Sequence, residues 1–189
     1  MNAIQVISLT LLSVLAANAQ FIMKGRCPKP AVQEDFDVSR YLGKWYEIQK
    51  MPNTFQKGKC ATATYSLSPG VGFGFLNREL LGDGTIKSVI GVAIAEDPSE
   101  PAKLQSFFES ADVVPYWVLS TDYDNYALVY SCISLGAVHA AFAGILSRQP
   151  TLPEETIKEL QGTLSSFGVE VDKLLTANQD AAYCSAMNQ

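Results

Sequence analysis

Eight short runs rich in β-branched, aromatic and small apolar residues, separated by turn signals, constrain this chain more than any other feature. They span 45–50, 60–67, 73–80, 85–94, 103–109, 116–121, 126–133 and 138–146. Between the third and fourth, Leu81-Gly82-Asp83-Gly84 supplies a compact turn supported by two glycines. An antiparallel meander of this kind carries two vulnerable edges, and closing it into a barrel removes them while leaving room for a small ligand. An immunoglobulin-like sandwich is the competing architecture, but it would bury its interior completely.

Helical periodicity appears only late. Thr151-Leu152-Pro153-Glu154 has the form of a capping box, with Pro153 tolerated in a first turn where its missing N–H needs no partner. Ile157, Leu160, Leu164 and Phe167 then recur at three- and four-residue intervals, a stripe that can lie against a barrel wall. Gly162 weakens this helix locally, and Gly168 is its expected stop. The fold expected is therefore all-β: an eight-stranded antiparallel up-and-down barrel with a C-terminal α-helix packed outside.

Residues 4–15 are mostly apolar, and Ala17-Asn18-Ala19 offers small residues at a signal-peptidase site. Residues 1–19 are thus expected to be a cleaved signal peptide and 20–189 a single secreted, extracellular domain. No second apolar run is long enough to span a bilayer as a helix. The net charge of −5, with no basic block, argues against nonspecific nucleic-acid binding. Hydrophobic residues make up 48% of the chain and charged ones 17%, which suits an internal cavity as well as a packed outer face.

Four cysteines, Cys27, Cys60, Cys132 and Cys184, favour two disulfides in an exported chain, and spacing alone leaves three pairings open. No compact metal knuckle or Cys-x-x-Cys is present, and neither metal nor cofactor is expected.

Gly43-Lys44-Trp45 at the first strand, Thr121-Asp122-Tyr123 between the sixth and seventh, and Arg148 after the eighth follow the order found in lipocalins. The chain resembles that family from about Cys27 to Cys184. The resemblance implies that Trp45 plugs the closed end beneath Arg148, that Gly43, Thr121, Asp122 and Tyr123 are structural, and that the bridges are Cys27–Cys132 and Cys60–Cys184. It further implies a ligand-binding wall of Tyr65, Asn77, Glu79, Phe108, Tyr116 and Phe142. Ordinary barrel packing is the alternative role for each of the four aromatics. Asn77 and Glu79 share strand parity, so both can face inward. Glu79 could instead be solvated, because an unpaired carboxylate facing a dry cavity is costly; facing inward, it disfavours an anionic ligand head unless protonated or paired.

Against the family member it most resembles, the chain has Gly144 in place of a cavity tryptophan and Leu81 in place of an arginine near the entrance. Ser110, Ala111 and Asp112 replace an apolar loop tip, which leaves lipoprotein or membrane association open. Ser134 replaces a cysteine used to attach another chain, so the molecule is expected to be a monomer or weak homo-oligomer. Residues 20–189 contain no Asn-x-Ser/Thr acceptor for N-glycans.

Enzymatic readings have little support. His139, the sole histidine, lies in a strand; no Gly-x-Ser-x-Gly elbow occurs; and Asp122 and Asp124 do not make a calcium loop. The function expected is reversible carriage of a small hydrophobic ligand: lipid, sterol, retinoid or related isoprenoid. A bilin or carotenoid pigment is an alternative cargo, and a secreted interaction module with a secondary cavity an alternative role.

Overall fold

The computed structural model describes residues 22–53, 55–68, 72–110 and 112–188. The expected signal peptide, residues 1–19, and Ala111 lie outside the described residues.

Eight consecutive antiparallel strands close on themselves. They are β2 (Gly43–Lys50), β3 (Lys59–Leu67), β4 (Gly72–Leu80), β5 (Ile86–Ala95), β6 (Lys103–Phe108), β7 (Val113–Thr121), β8 (Tyr126–Leu135) and β9 (Val138–Ser147). Each boundary falls within three residues of the sequence expectation. Pairing of β2 with β9 completes the barrel, from Tyr46 opposite Ser147 to Lys50 opposite Gly144. The upper part of the same β9 edge is capped by the short β1 (Ile22–Lys24), and the end of β2 by β10 (Leu175–Thr176). These two strands were not legible from periodicity.

The two faces of the sheet bury different cores. Facing inward toward one end, Trp45, Tyr65, Phe73, Phe75, Leu104 and Val118 pack with Tyr41 from the single-turn helix α1 (Val38–Tyr41). Facing outward, Leu128, Tyr130, Ala141, Ala143 and Ile145 pack beneath Leu160 and Leu164 of α2 (Glu154–Ser165). A wall covered on both faces has no reason to alternate, which explains the continuous apolar character of β8 and β9.

The helix begins differently from the sequence expectation. Pro153 itself is the N-cap, in extended backbone, and no side chain caps the first turn. Thr151 therefore sits too far upstream to close a box, and its carbonyl accepts from Ser147 Oγ at 3.3 Å. Glu154 and Glu155 occupy the first turn, where their charge complements the helix dipole. At the other end Gly168 has φ +95°, its N–H donates to Ser165 O, and Val169 N–H donates to Leu164 O. That is a Schellman stop with its hydrophobic contact, since Val169 and Leu164 are buried in one cluster.

Cys27 is bonded to Cys132 and Cys60 to Cys184. The first bridge pins the N-terminal segment to the outer face of β8, and the second pins the C-terminal segment to β3.

Candidate functional site

Strand directions sort the connections into two ends. Around one lie α1, the start of β2, the β7–β8 turn and Arg148. Around the other lie residues 51–53, 55–58, 81–85, 109–110, 112 and 136–137.

The first end is closed. Trp45 is fully buried, and its indole N–H donates to Tyr41 O at 2.9 Å. The Arg148 guanidinium lies 3.7 Å from the indole centroid. It donates from Nε to Tyr123 O (2.9 Å), from Nη1 to Lys44 O (3.1 Å) and from Nη2 to Arg40 O (2.9 Å). One side chain thereby ties three segments over the plug. Gly43 permits this twice: its φ is +97°, and a Cβ there would stand 3.3 Å from Arg148 Nη1. Thr121 Oγ1 donates to Tyr126 O and accepts from Tyr123 N–H, while Asp122 accepts from the N–H groups of Asn125 and Tyr126. Tyr123 hydroxyl accepts from Asp37 N–H at 2.9 Å. Every one of these side chains is spent on the scaffold.

Above the plug, three tyrosine hydroxyls meet. Tyr116 hydroxyl is 2.8 Å from that of Tyr41 and 2.9 Å from that of Tyr65. Burial pushes the Tyr65 phenol up to about 12, and raises Tyr41 and Tyr116 well above the usual range, so the trio is neutral. The structure thus joins Tyr65 and Tyr116 and adds Tyr41, which precedes the first barrel strand and carries no periodic signal. Phe108 packs on Phe75, with ring centroids 5.2 Å apart.

The other half of the lumen is not filled in this way. Asn77 shares a face with inward-pointing Phe75, yet it is exposed. Phe142 lies on the inward face of β9, and its ring meets Phe55 edge-on at 5.2 Å. Gly144 is inward too: a Cβ would meet only Val129 Cγ2 at 3.4 Å and Gln49 O at 3.6 Å, ordinary contacts.

The mouth holds charge. Glu79 is buried and pairs with its cross-strand neighbour Lys87 at 3.2 Å. It also receives Gly58 N–H, an approach only glycine allows, because a Cβ would lie 2.7 Å from Glu79 Oε2 and 2.8 Å from Leu80 O. Glu47 pairs with Lys50 at 3.1 Å and accepts from Gln56 Nε2 at 2.9 Å. Burial raises the Glu47 carboxyl above the ordinary range, Lys50 and Gln56 oppose that shift, and Glu79 reinforces it. Strict alternation would put Glu47 and Lys50 on opposite faces; a bulge between Glu47 and Gln49 brings both inward.

His139 lies elsewhere, buried on the outer face of β9 with Nδ1 3.0 Å from Gly25 O, where it anchors the N-terminal segment. A separate 410 Å³ cleft lies outside the barrel, between the β7–β8 turn and the start of α2, and is lined by Asp122, Asn125, Thr151 and Glu159 among others. Its walls are mixed, with Tyr126, Leu152 and Pro153 beside the polar side chains, and it lies apart from the barrel lumen.

Residues 36–179 match the lipocalin-like domain. The chain is a lipocalin. This lipocalin is 48% identical over 165 residues to apolipoprotein D of Mus musculus, covering 86% of this chain and 87% of that one. Among solved structures, insecticyanin from the tobacco hornworm Manduca sexta superposes with a TM-score of 0.74 at 29% identity, over 87% of this chain and 92% of that one. Lobster apocrustacyanin A1, at 24% identity and a TM-score of 0.77 over 89% and 98%, shares the fold. The family is one of carriers rather than enzymes.

Proposed function

We propose that this lipocalin is a secreted carrier that reversibly holds a small hydrophobic molecule, of the lipid, sterol, retinoid or isoprenoid class, in the mouth-side half of its barrel. One observation carries the reading: inward-facing Asn77 is exposed, so the lumen beyond the aromatic plug is open to water. Around that space stand apolar walls from Phe108, Val129, Phe142 and Gly144. Each ligand methylene transferred there from water is favourable by about 0.8 kcal/mol before ordering costs. Two disulfides support an extracellular location, where such bonds persist.

Protein secreted from a eukaryotic host is extracted and the released small molecules identified by mass spectrometry; a visible absorption band before extraction would assign a pigment cargo. Gly144→Trp supplies the paired test. Its backbone accepts a Cβ, and the indole then occupies the lumen, so the variant folds but carries no extract. Equal cargo in the filled variant, or none in the wild type together with no response to a panel of apolar fluorophores, would overturn the carrier reading.

A further inference from the structure

Resting on the carrier reading, we infer that the barrel mouth selects against ionised ligands, with Glu47 and Glu79 as the specificity-determining residues, so that the cargo is an uncharged amphiphile such as an alcohol, ketone or ester.

On its lumen side the mouth is charge-balanced. The two carboxylates and two ammonium groups that face inward are already paired, Glu47 with Lys50 and Glu79 with Lys87, while Asp83, Glu109 and Asp112 of the rim loops are exposed and add no positive charge. Phe55 and Gln56 commit the lysines further: Lys50 Nζ donates to Gln56 O at 3.1 Å, and Lys87 Nζ to Phe55 O at 2.6 Å. Three of the four side chains are largely withdrawn from solvent, at 12% exposure for Glu47, 13% for Lys50 and 7% for Glu79, with Lys87 at 42% on the rim.

Other nearby cations do not face the lumen. Lys57 is exposed on the loop, Lys59 lies over the Tyr183 ring outside the barrel, and Arg78 points outward to Met187 O. At the plug end, Arg148 spends its donors on three carbonyls, and the tyrosine trio is neutral. A ligand carboxylate would therefore be a fifth charge without a counter-ion, and would have to displace a glutamate from its lysine. A neutral head asks for no such exchange.

Parinaric acid and its methyl ester share a fluorescent chain and differ in charge and in one methyl group, which by itself favours the ester by about fourfold in both proteins, so the change in ratio between them reads the charge. Titrated into wild-type protein at pH 8, the ester should bind at least about tenfold more tightly than the acid, a free-energy difference of one pKa unit. In Glu47→Gln/Glu79→Gln, which leaves both lysines without a carboxylate partner, the acid-to-ester affinity ratio should rise at least about tenfold. Far-UV circular dichroism and a cooperative melt establish that the variant is folded, and Glu79→Gln alone serves if the pair is not. Acid binding as tightly as ester in the wild type, or an unchanged ratio in the glutamine variant, overturns the inference and leaves the carrier reading standing. Binding of neither probe counts against both.

Discussion

Removing Arg148 should loosen the closed end by an amount that can be worked from its contacts. Arg148→Ala leaves the carbonyls of Tyr123, Lys44 and Arg40 without their donor and uncovers the face of Trp45. Charge-assisted hydrogen bonds contribute about 1.5–3 kcal/mol when buried, but Arg148 is half-exposed and water can replace part of each; about 1 kcal/mol apiece is the appropriate figure. The cation over the indole adds about 0.5–1 kcal/mol. The expected loss is about 3–4 kcal/mol, which for a domain of this size lowers Tm by about 6–16 °C. Urea unfolding with both disulfides intact measures it. Arg148→Met, which keeps the length but none of the donors, should recover less than half; Arg148→Lys, a single compact charge, cannot span three carbonyls and should also fall short. A loss under about 1 kcal/mol for the alanine variant, or wild-type stability for the methionine variant, would refute the account of Arg148 as a three-segment tie.

Three further outcomes follow from positions outside that knot. Tyr130 is buried beneath Phe167 with its hydroxyl unpartnered among the described residues, so Tyr130→Phe should raise unfolding free energy by about 1 kcal/mol in denaturant titrations. Gly162 lies exposed in α2 with nothing within 4 Å of a built Cβ, and Gly162→Ala should stabilise by about 1 kcal/mol in the same assay; destabilisation would mean the helix needs that glycine. Glu47 carries the pH prediction. Because its native carboxyl titrates above the ordinary 4.5, the native state holds its proton over a range where the unfolded chain has released it, and stability contributed by Glu47 falls as pH rises through that interval. The stability of Glu47→Gln relative to wild type should therefore rise from pH 4.5 to neutral, whatever constant cost the loss of the Lys50 partner adds, as read from unfolding midpoints; a constant difference would remove burial as the cause.

The barrel strands were legible because period-two patterning and turn glycines are local signals, and β2–β9 needed nothing else. The strands β1 and β10 were not, because each is short and exists by borrowing an edge from β9 or β2. The capping box failed at Thr151 for a related reason: a Thr-x-x-Glu pattern says nothing about whether the backbone at Pro153 has already turned helical. In the candidate site, Asn77 and Glu79 were placed on one face by parity, and they do share it. The partners of Glu79 and Glu47 were hidden. Lys50 reaches the lumen through a bulge, and the Gly58, Phe55 and Gln56 contacts come from a loop whose path no periodicity encodes. Tyr41 was missed because its position in the plug is set by α1, a single turn capped by Asp37.

The two disulfides also bear on what a protease can do to this molecule. Cys27 joins Cys132 and Cys60 joins Cys184, so the spans they enclose overlap. A single backbone cut between residues 60 and 132 is crossed by both bonds, and a cut elsewhere between Cys27 and Cys184 is crossed by one. Clipping one exposed hairpin at the mouth therefore yields a nicked molecule whose fragments remain covalently joined until a reductant reaches them. Wherever reductant is scarce, its mouth loops can be severed once without shedding a fragment.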